Sequence, residues 1–223
     1  MKRLWTALLA LILLLSLAGC GHEEEEADPY EGVPDPVATI TLSDGRVMRA
    51  ELYLAQAPNT VANFIDLANS GFYDGLEIFR VVTRAFIQTG DPLNNGTGGP
   101  GYAIRGEFAE NGYEGNTLSH TRGVLSMCHR VDEPDSAGSQ FFIMQGSFPA
   151  DYDGKYAAFG KLMDDESLAV LDAVAGVMVD VNDRPLVLTT IDTIRVDTHG
   201  YNFPFLKVGE EAEAEASSAP ENQ

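Results

Sequence analysis

Phe79-Arg80-Val81-Val82-Thr83-Arg84-Ala85-Phe86-Ile87-Gln88-Thr89-Gly90-Asp91 carries β-branched and aromatic residues on both sides of Thr83-Arg84. It reads as two short strands joined at that pair. Side chains alternate faces along a strand, so Phe86 and Gln88 point the same way, and Arg80 joins them if the joint preserves parity. A cation, a ring and an amide then share one surface. The same alternation in Gly138-Ser139-Gln140-Phe141-Phe142-Ile143-Met144 sets Gln140 and Phe142 on one face and Ser139, Phe141 and Ile143 on the other. Both faces carry a large ring, so one ring is free to serve as a binding surface.

Outward from these runs the chain continues in short elements. Val37-Ala38-Thr39-Ile40-Thr41-Leu42, a Ser43-Asp44-Gly45 turn and the run from Arg46 to Leu54 read as a hairpin. Pro58-Asn59-Thr60 opens a helix whose apolar positions Val61, Phe64, Ile65, Leu67 and Ala68 keep helical spacing until Gly71 ends it. Strands are expected at 76–82, 85–88, 124–128, 140–145, 157–162 and 187–196, and a second helix at 166–175. Many strands with two helices favour an all-β closed sheet, which leaves no exposed edges, with the helices plugging its ends.

The two ends of the chain differ from this middle. Met1-Lys2-Arg3 is positive, residues 4–17 form an apolar run, and Leu17-Ala18-Gly19-Cys20 ends on small residues and a cysteine. The run is short for a bilayer span and reads as a signal peptide over 1–19. Its last four residues resemble a bacterial lipobox, which implies a lipidated Cys20 and an anchor that tethers without spanning. An ordinary cleaved signal with an incidental cysteine is the alternative. Residues 20–36, with Glu23-Glu24-Glu25-Glu26 and several prolines, read as an acidic tether. Residues 37–199 form the domain, and 200–223 a C-terminal extension with an acidic, disordered tail.

Charge and residue chemistry exclude several classes. The net charge is −20, and with the twelve acids of the two ends set aside, residues 36–206 still hold twenty-two acids against eleven Lys and Arg. Nucleic acid is therefore not an expected partner, and anionic lipid does not attract the domain electrostatically. If Cys20 is acylated, Cys128 stands alone in an apolar run and reads as a buried structural thiol. The four histidines, His22, His120, His129 and His199, have no metal-ligand spacing, so no metal or other cofactor is expected. His120 reads as a structural hydrogen-bonding group. Asn95-Gly96-Thr97-Gly98-Gly99-Pro100-Gly101 lacks the following apolar helix of a phosphate cradle and reads as a tight loop. No motif supports Ser-His-Asp hydrolysis.

Phe79-Arg80-Val81-Val82, Gln88-Thr89-Gly90-Asp91, Asn95-Gly96-Thr97-Gly98-Gly99, Leu125-Ser126-Met127, Gly138-Ser139-Gln140-Phe141-Phe142-Ile143 and Phe159-Gly160-Lys161 follow one another in an order and spacing that resembles the cyclophilins. That family consists of peptidyl-prolyl cis-trans isomerases, and the resemblance covers roughly residues 37–197. It implies a closed barrel of eight antiparallel strands capped by two α-helices. It also implies proline-containing polypeptides as substrates, Arg80 as the catalytic residue, Gln88 holding substrate backbone, Phe142 lining the proline slot and Gln140 as a neighbouring pocket amide. Set behind the signal sequence, the expected protein is a monomeric, extracytoplasmic isomerase, lipid-anchored to a bacterial membrane, that assists folding of exported proteins.

The chemistry asked of such a site is modest. Rotation about a peptide bond is opposed by roughly 18–20 kcal/mol of lost resonance. No covalent bond forms, so the protein has only to favour the twisted amide, whose prolyl nitrogen becomes pyramidal and basic. A cationic donor near that nitrogen, an apolar slot and an amide for the flanking backbone meet this need. Departures from the family pattern cluster around the slot: Ala85 stands where phenylalanine is usual, and Phe86, in place of methionine, refills it. His129 replaces an asparagine whose backbone holds substrate. Asp151 takes a frequent tryptophan position, which implies weak cyclosporin binding, while Tyr152 replaces leucine and Tyr156 histidine. These changes leave open a proline-segment binding module with little turnover. A lipoprotein whose barrel is only a scaffold is a third reading.

Overall fold

The first hairpin forms because its two strands alternate cleanly: Ala38, Ile40 and Leu42 in β1 (Val37–Leu42) and Met48, Ala50 and Leu52 in β2 (Val47–Leu52) are all buried. Leu42 N–H donates to the Arg46 carbonyl across the turn, where Gly45 has φ +85°. The next hairpin is the Arg80 run. β3 (Arg80–Val82) and β4 (Phe86–Thr89) flank a turn in which Arg84 takes a left-handed φ of 63°. Four further strands, β5 (Val124–Met127), β6 (Phe141–Met144), β7 (Ala158–Leu162) and β8 (Ile191–Asp197), complete one antiparallel sheet of order β3-β4-β6-β5-β7-β2-β1-β8. This computed structural model describes Tyr30 and residues 32–210. Of the N-terminal unit, Met1–Glu31, only Tyr30 is described, and every element named belongs to the second unit, Gly32–Gln223.

The expected closed barrel is corrected by the strand pairing. β3 and β8 lie at opposite ends of the order with no ladder between them, so the sheet is an open half-barrel. A single Glu77–Thr190 bridge and hydrogen bonds from Ile78 N–H to Thr189 O and from Ile191 N–H to Leu76 O fasten the gap. The expected strands at 76–82 and 187–196 are thereby shortened to β3 and β8. Before Thr189 the chain lies outside the sheet, in an irregular turn around Asp180 to Arg184, and Val81 N–H donates to the Asp183 carbonyl instead of to a strand.

Among the described residues there are three α-helices instead of two. α1 (Pro58–Asn69) begins on a proline suited to a first turn and buries Val61, Phe64, Ile65, Leu67 and Ala68. Phe64 meets Tyr73, Phe141 and Phe159 at ring-centroid distances of 5.1–5.3 Å, and these rings fill the sheet's inner side. Its preceding residue, Ala57, offers no capping side chain. The buried Glu107 carboxylate takes over, accepting from Asn59 N–H (3.0 Å), Thr60 N–H (2.7 Å) and the Thr60 hydroxyl (2.6 Å). α2 (Pro149–Tyr152) is a single turn that the sequence reading missed. α3 (Asp165–Ala175) is capped by Asp164, which accepts from Ser167 N–H at 2.7 Å.

Beyond β8 the chain crosses back over the start of α1. Leu206 and Asn59 exchange two hydrogen bonds, Val208 N–H donates to Ala103 O, and Lys207 Nζ lies 4.9 Å from the Tyr102 ring centroid. The signal peptide, Cys20, most of the acidic tether and the acidic tail at 211–223 lie outside the described residues.

Candidate active site

Register places the candidate residues in one line. Arg80 pairs directly with Gln88, Gln88 with Phe142, and Phe142 with Ser126, across β3, β4, β6 and β5. Residues directly opposite share a face, so this row points to one side of the sheet. The neighbouring row, Val82, Phe86, Met144 and Val124, faces the same way, and Phe86, Phe142, Met144, Val124 and Ala158 form an apolar cluster there. Val81, Ile87, Ile143 and Phe141 take the other face, where Phe141 packs on Phe64.

Arg80 lies over the ring of Phe86, its guanidinium carbon 5.3 Å from the centroid, in a cation–π arrangement. Its Nη1 donates to Gln88 Oε1 and its Nη2 to Asp183 Oδ2, each at 3.3 Å. Gln88 passes the order onward: its Nε2 donates to Gln140 Oε1 at 3.0 Å, and Gln140 Nε2 to the Gly98 carbonyl at 2.9 Å. The arginine side chain keeps 42% of its surface exposed, while Gln88, Phe86 and Phe142 are 9%, 8% and 3% exposed. A half-open cation thus stands at the rim of a nearly buried cluster of one amide and two rings.

Rings make the rest of the wall. Phe86 and Phe142 are 5.2 Å apart, and Tyr152 and Tyr156 stand 5.7 and 5.5 Å from Phe142. Burial pushes both tyrosine hydroxyls above their ordinary range. His129 stacks between Tyr156 (4.8 Å) and Phe108 (5.2 Å), and its ring nitrogens face the carbonyls of Lys155 and Arg130. Arg80, Phe86, Gln88, His129, Gln140, Phe142, Tyr152 and Tyr156 are therefore all brought together, although the first and last are far apart in the chain. Cys128 packs against this cluster, where burial pushes its thiol up to about 12. A thiol so raised stays protonated and unreactive at neutral pH.

Three neighbours escaped the sequence reading as site residues. His120, read only as a structural group, does hydrogen-bond Asp153 (2.8 Å) and Ser126 (3.0 Å), but its ring also lies nearly parallel to Phe142 at 6.1 Å. Burial pulls its pKa below the ordinary value despite Asp153, so the neutral ring carries its proton on Nδ1 toward that carboxylate and accepts from Ser126. Ser126 was findable, because it alternates in phase with Val124. Asp183 had no signal: it reaches Arg80 from 103 residues away.

Among the described residues no group of His, Cys, Asp and Glu could hold a metal ion. The arrangement offers a cation, two linked amides and an aromatic wall; the hydrogen-bonded chain Ser126–His120–Asp153 beside it has its serine 0% and its histidine 1% exposed, which closes that hydroxyl to a substrate. Comparison with known proteins agrees with that chemistry. Residues 37–196 match the family model for cyclophilin type peptidyl-prolyl cis-trans isomerase. Peptidyl-prolyl cis-trans isomerase B of Bacillus subtilis is 47% identical over 121 residues, covering 54% of this chain and 79% of the relative. A Helicobacter pylori peptidyl-prolyl cis-trans isomerase is 41% identical over 137 residues, 61% of this chain and 78% of that one. A crystal structure of a Cryptosporidium parvum cyclophilin type isomerase, in the presence of the dipeptide Ala-Pro, superposes with TM-score 0.63 at 31% identity, covering 72% of this chain and 98% of that one.

The fold and the comparisons define a prolyl isomerase. The chain belongs to the cyclophilin-type peptidyl-prolyl cis-trans isomerase family, and rotation of the peptide bond before proline is its reaction.

Proposed function

We propose that Arg80 is the catalytic residue and that the pocket of Phe86, Phe142, Tyr152 and Tyr156 takes the proline ring, in a lipid-anchored enzyme that serves exported proteins. The observation that carries the site is the register row Arg80–Gln88–Phe142, which sets donor, amide and ring side by side on adjacent strands. Gln88, oriented by Gln140, holds the carbonyl or N–H of the residue flanking proline, with His129 and Gln140 lining the rest of the groove. As the amide twists, the lone pair on its nitrogen is no longer shared with the carbonyl and localises there, and the Arg80 guanidinium donates toward it. Two N–H groups of Arg80 are already engaged with Gln88 and Asp183. The remaining donors of a five-donor fork are left for substrate. A guanidinium held before substrate arrives loses little freedom in the transition state.

The wider role rests on the sequence ends. The lipobox-like Leu17-Ala18-Gly19-Cys20 and the acidic residues that follow support an extracytoplasmic enzyme, tethered through Cys20 and held off an anionic bilayer by its own charge. It works there as a monomer, since one chain supplies every residue of the row and needs no second copy to meet an unfolded client.

Exchange NMR on an X-Pro peptide tests the assignment. Arg80→Ala should lower kcat/KM by roughly a hundredfold, with an unchanged melting curve. Equal rates for variant and parent would remove Arg80 from the mechanism. A binding module with poor turnover remains the second reading, because Tyr152 and Asp151 replace the family's usual residues and Phe142 is only 3% exposed. Peptide affinity without rate enhancement would select it.

A further inference from the structure

Asp183 sits at the tip of the turn that follows α3, and everything about that turn fixes it against the edge of β3. The Asp180 carboxylate accepts from Asn182 N–H (2.8 Å) and Arg184 N–H (2.9 Å), and Asp180 N–H returns to Arg184 O. A Val179–Pro185 bridge closes the base. The turn is then fastened to the sheet at two points. Asp183 O accepts from Val81 N–H at 2.8 Å, and the Arg184 guanidinium reaches Asn94 O (3.3 Å) and Glu77 Oε2 (3.2 Å). Asp183 itself has φ 62°, a conformation aspartate accepts more readily than most residues. Its carboxylate is thereby presented to Arg80 Nη2 at 3.3 Å.

We infer that Asp183 is a positioning residue for the isomerisation: from the opposite side to Gln88, it holds the Arg80 guanidinium in the plane that faces the twisted prolyl amide. The inference rests on the reading of Arg80 as the catalytic group. Arg80 is a long side chain on a three-residue edge strand, with 42% of its side-chain surface exposed. Such a side chain is free to leave the pocket unless several groups restrain it. Phe86 limits it from below, Gln88 holds Nη1, and Asp183 holds Nη2. With both ends of the fork engaged, rotation about the terminal bonds is blocked, which a single partner does not achieve. A pair this exposed contributes little to stability, so its value lies in orientation.

The test is a double-mutant cycle followed by exchange NMR. Asp183→Gly removes the carboxylate and suits the positive φ, while Asp183→Asn keeps the shape and an acceptor without the charge. Asp183→Gly should lower kcat roughly tenfold through lost alignment, with KM within about twofold and the melting temperature unchanged. Asp183→Asn should keep more than half of the parent kcat. Placed on Arg80→Ala, Asp183→Gly should have no further effect, since there is no guanidinium left to orient. If Arg80→Ala is inactive but Asp183→Gly matches the parent, the Asp183 inference fails alone. The same tenfold loss in both backgrounds also overturns it, because Asp183 would then act without Arg80. Full activity of Arg80→Ala would overturn the Arg80 reading instead.

Discussion

At the scale of the residue, His120 links acid stability to the pocket. Its ring is 1% exposed and is faced by the Asp153 carboxylate, the Ser126 hydroxyl and the rings of Phe142, Tyr152 and Tyr156. Burial lowers its pKa from the ordinary 6.5, with Asp153 pulling the other way. The unfolded chain therefore takes up this proton at a higher pH than the folded one. Stability is fully present above about 6.5 and falls as the pH drops from there toward the folded value. Glu107, which burial raises from 4.5, works in the opposite sense at the acid end of that range. The informative quantity is the difference between parent and His120→Gln in thermal melts from pH 5 to 7.5. The parent should lose melting temperature toward pH 5 while His120→Gln, less stable at pH 7.5, stays flatter. Parallel profiles would show that His120 does not titrate against folding.

At the scale of the element, α1 depends on a cap supplied from 47 residues away. Removing the Glu107 side chain leaves two N–H groups of the first turn and the Thr60 hydroxyl without their acceptor in a buried place. Glu107→Ala should therefore cost about 2–4 kcal/mol, read as a lower urea midpoint. Glu107→Gln, which keeps one acceptor, should recover part of it, and a neutral Glu107→Ala would mean that water caps the helix. Such long-range choices mark the limit of what the sequence discloses. The β1–β2 hairpin, α1, α3 and the Arg80 hairpin were legible because alternation, helical spacing, Pro58 and the turn at Ser43-Asp44-Gly45 are local. The row Arg80–Gln88–Phe142 was half legible: alternation sorted faces within each strand, and only the family resemblance brought the strands together. The open seam was not legible, since a single bridge at Glu77–Thr190 and a ladder have the same composition. Nor was Asp183 legible, because nothing near it announces a cation on another strand.

At the scale of the whole molecule, an acidic domain lies between two acidic ends in the sequence, and the proposed membrane role rests on the first twenty residues. The net charge of −20 opposes adsorption to anionic lipid, and among the described residues no helix is long and apolar enough to cross a membrane. On the lipid-anchored reading proposed above, attachment falls on Cys20 and its acyl chains. Lipidation provides about 0.8 kcal/mol for each buried CH₂, and two or more chains make the attachment stable against that charge. Cys20→Ala, in the full chain expressed in a bacterium that processes lipoproteins, should move the protein from the membrane pellet to the soluble fraction and abolish incorporation of a fatty-acid label. Its turnover of a small X-Pro peptide should equal that of the parent, because the site is built entirely from residues 80–183. Its action on a membrane-proximal unfolded client should fall, since the tether no longer concentrates the enzyme there. Retention of the alanine variant in the pellet, without label, would mean that the apolar run at 4–17 holds the chain in place of a lipid.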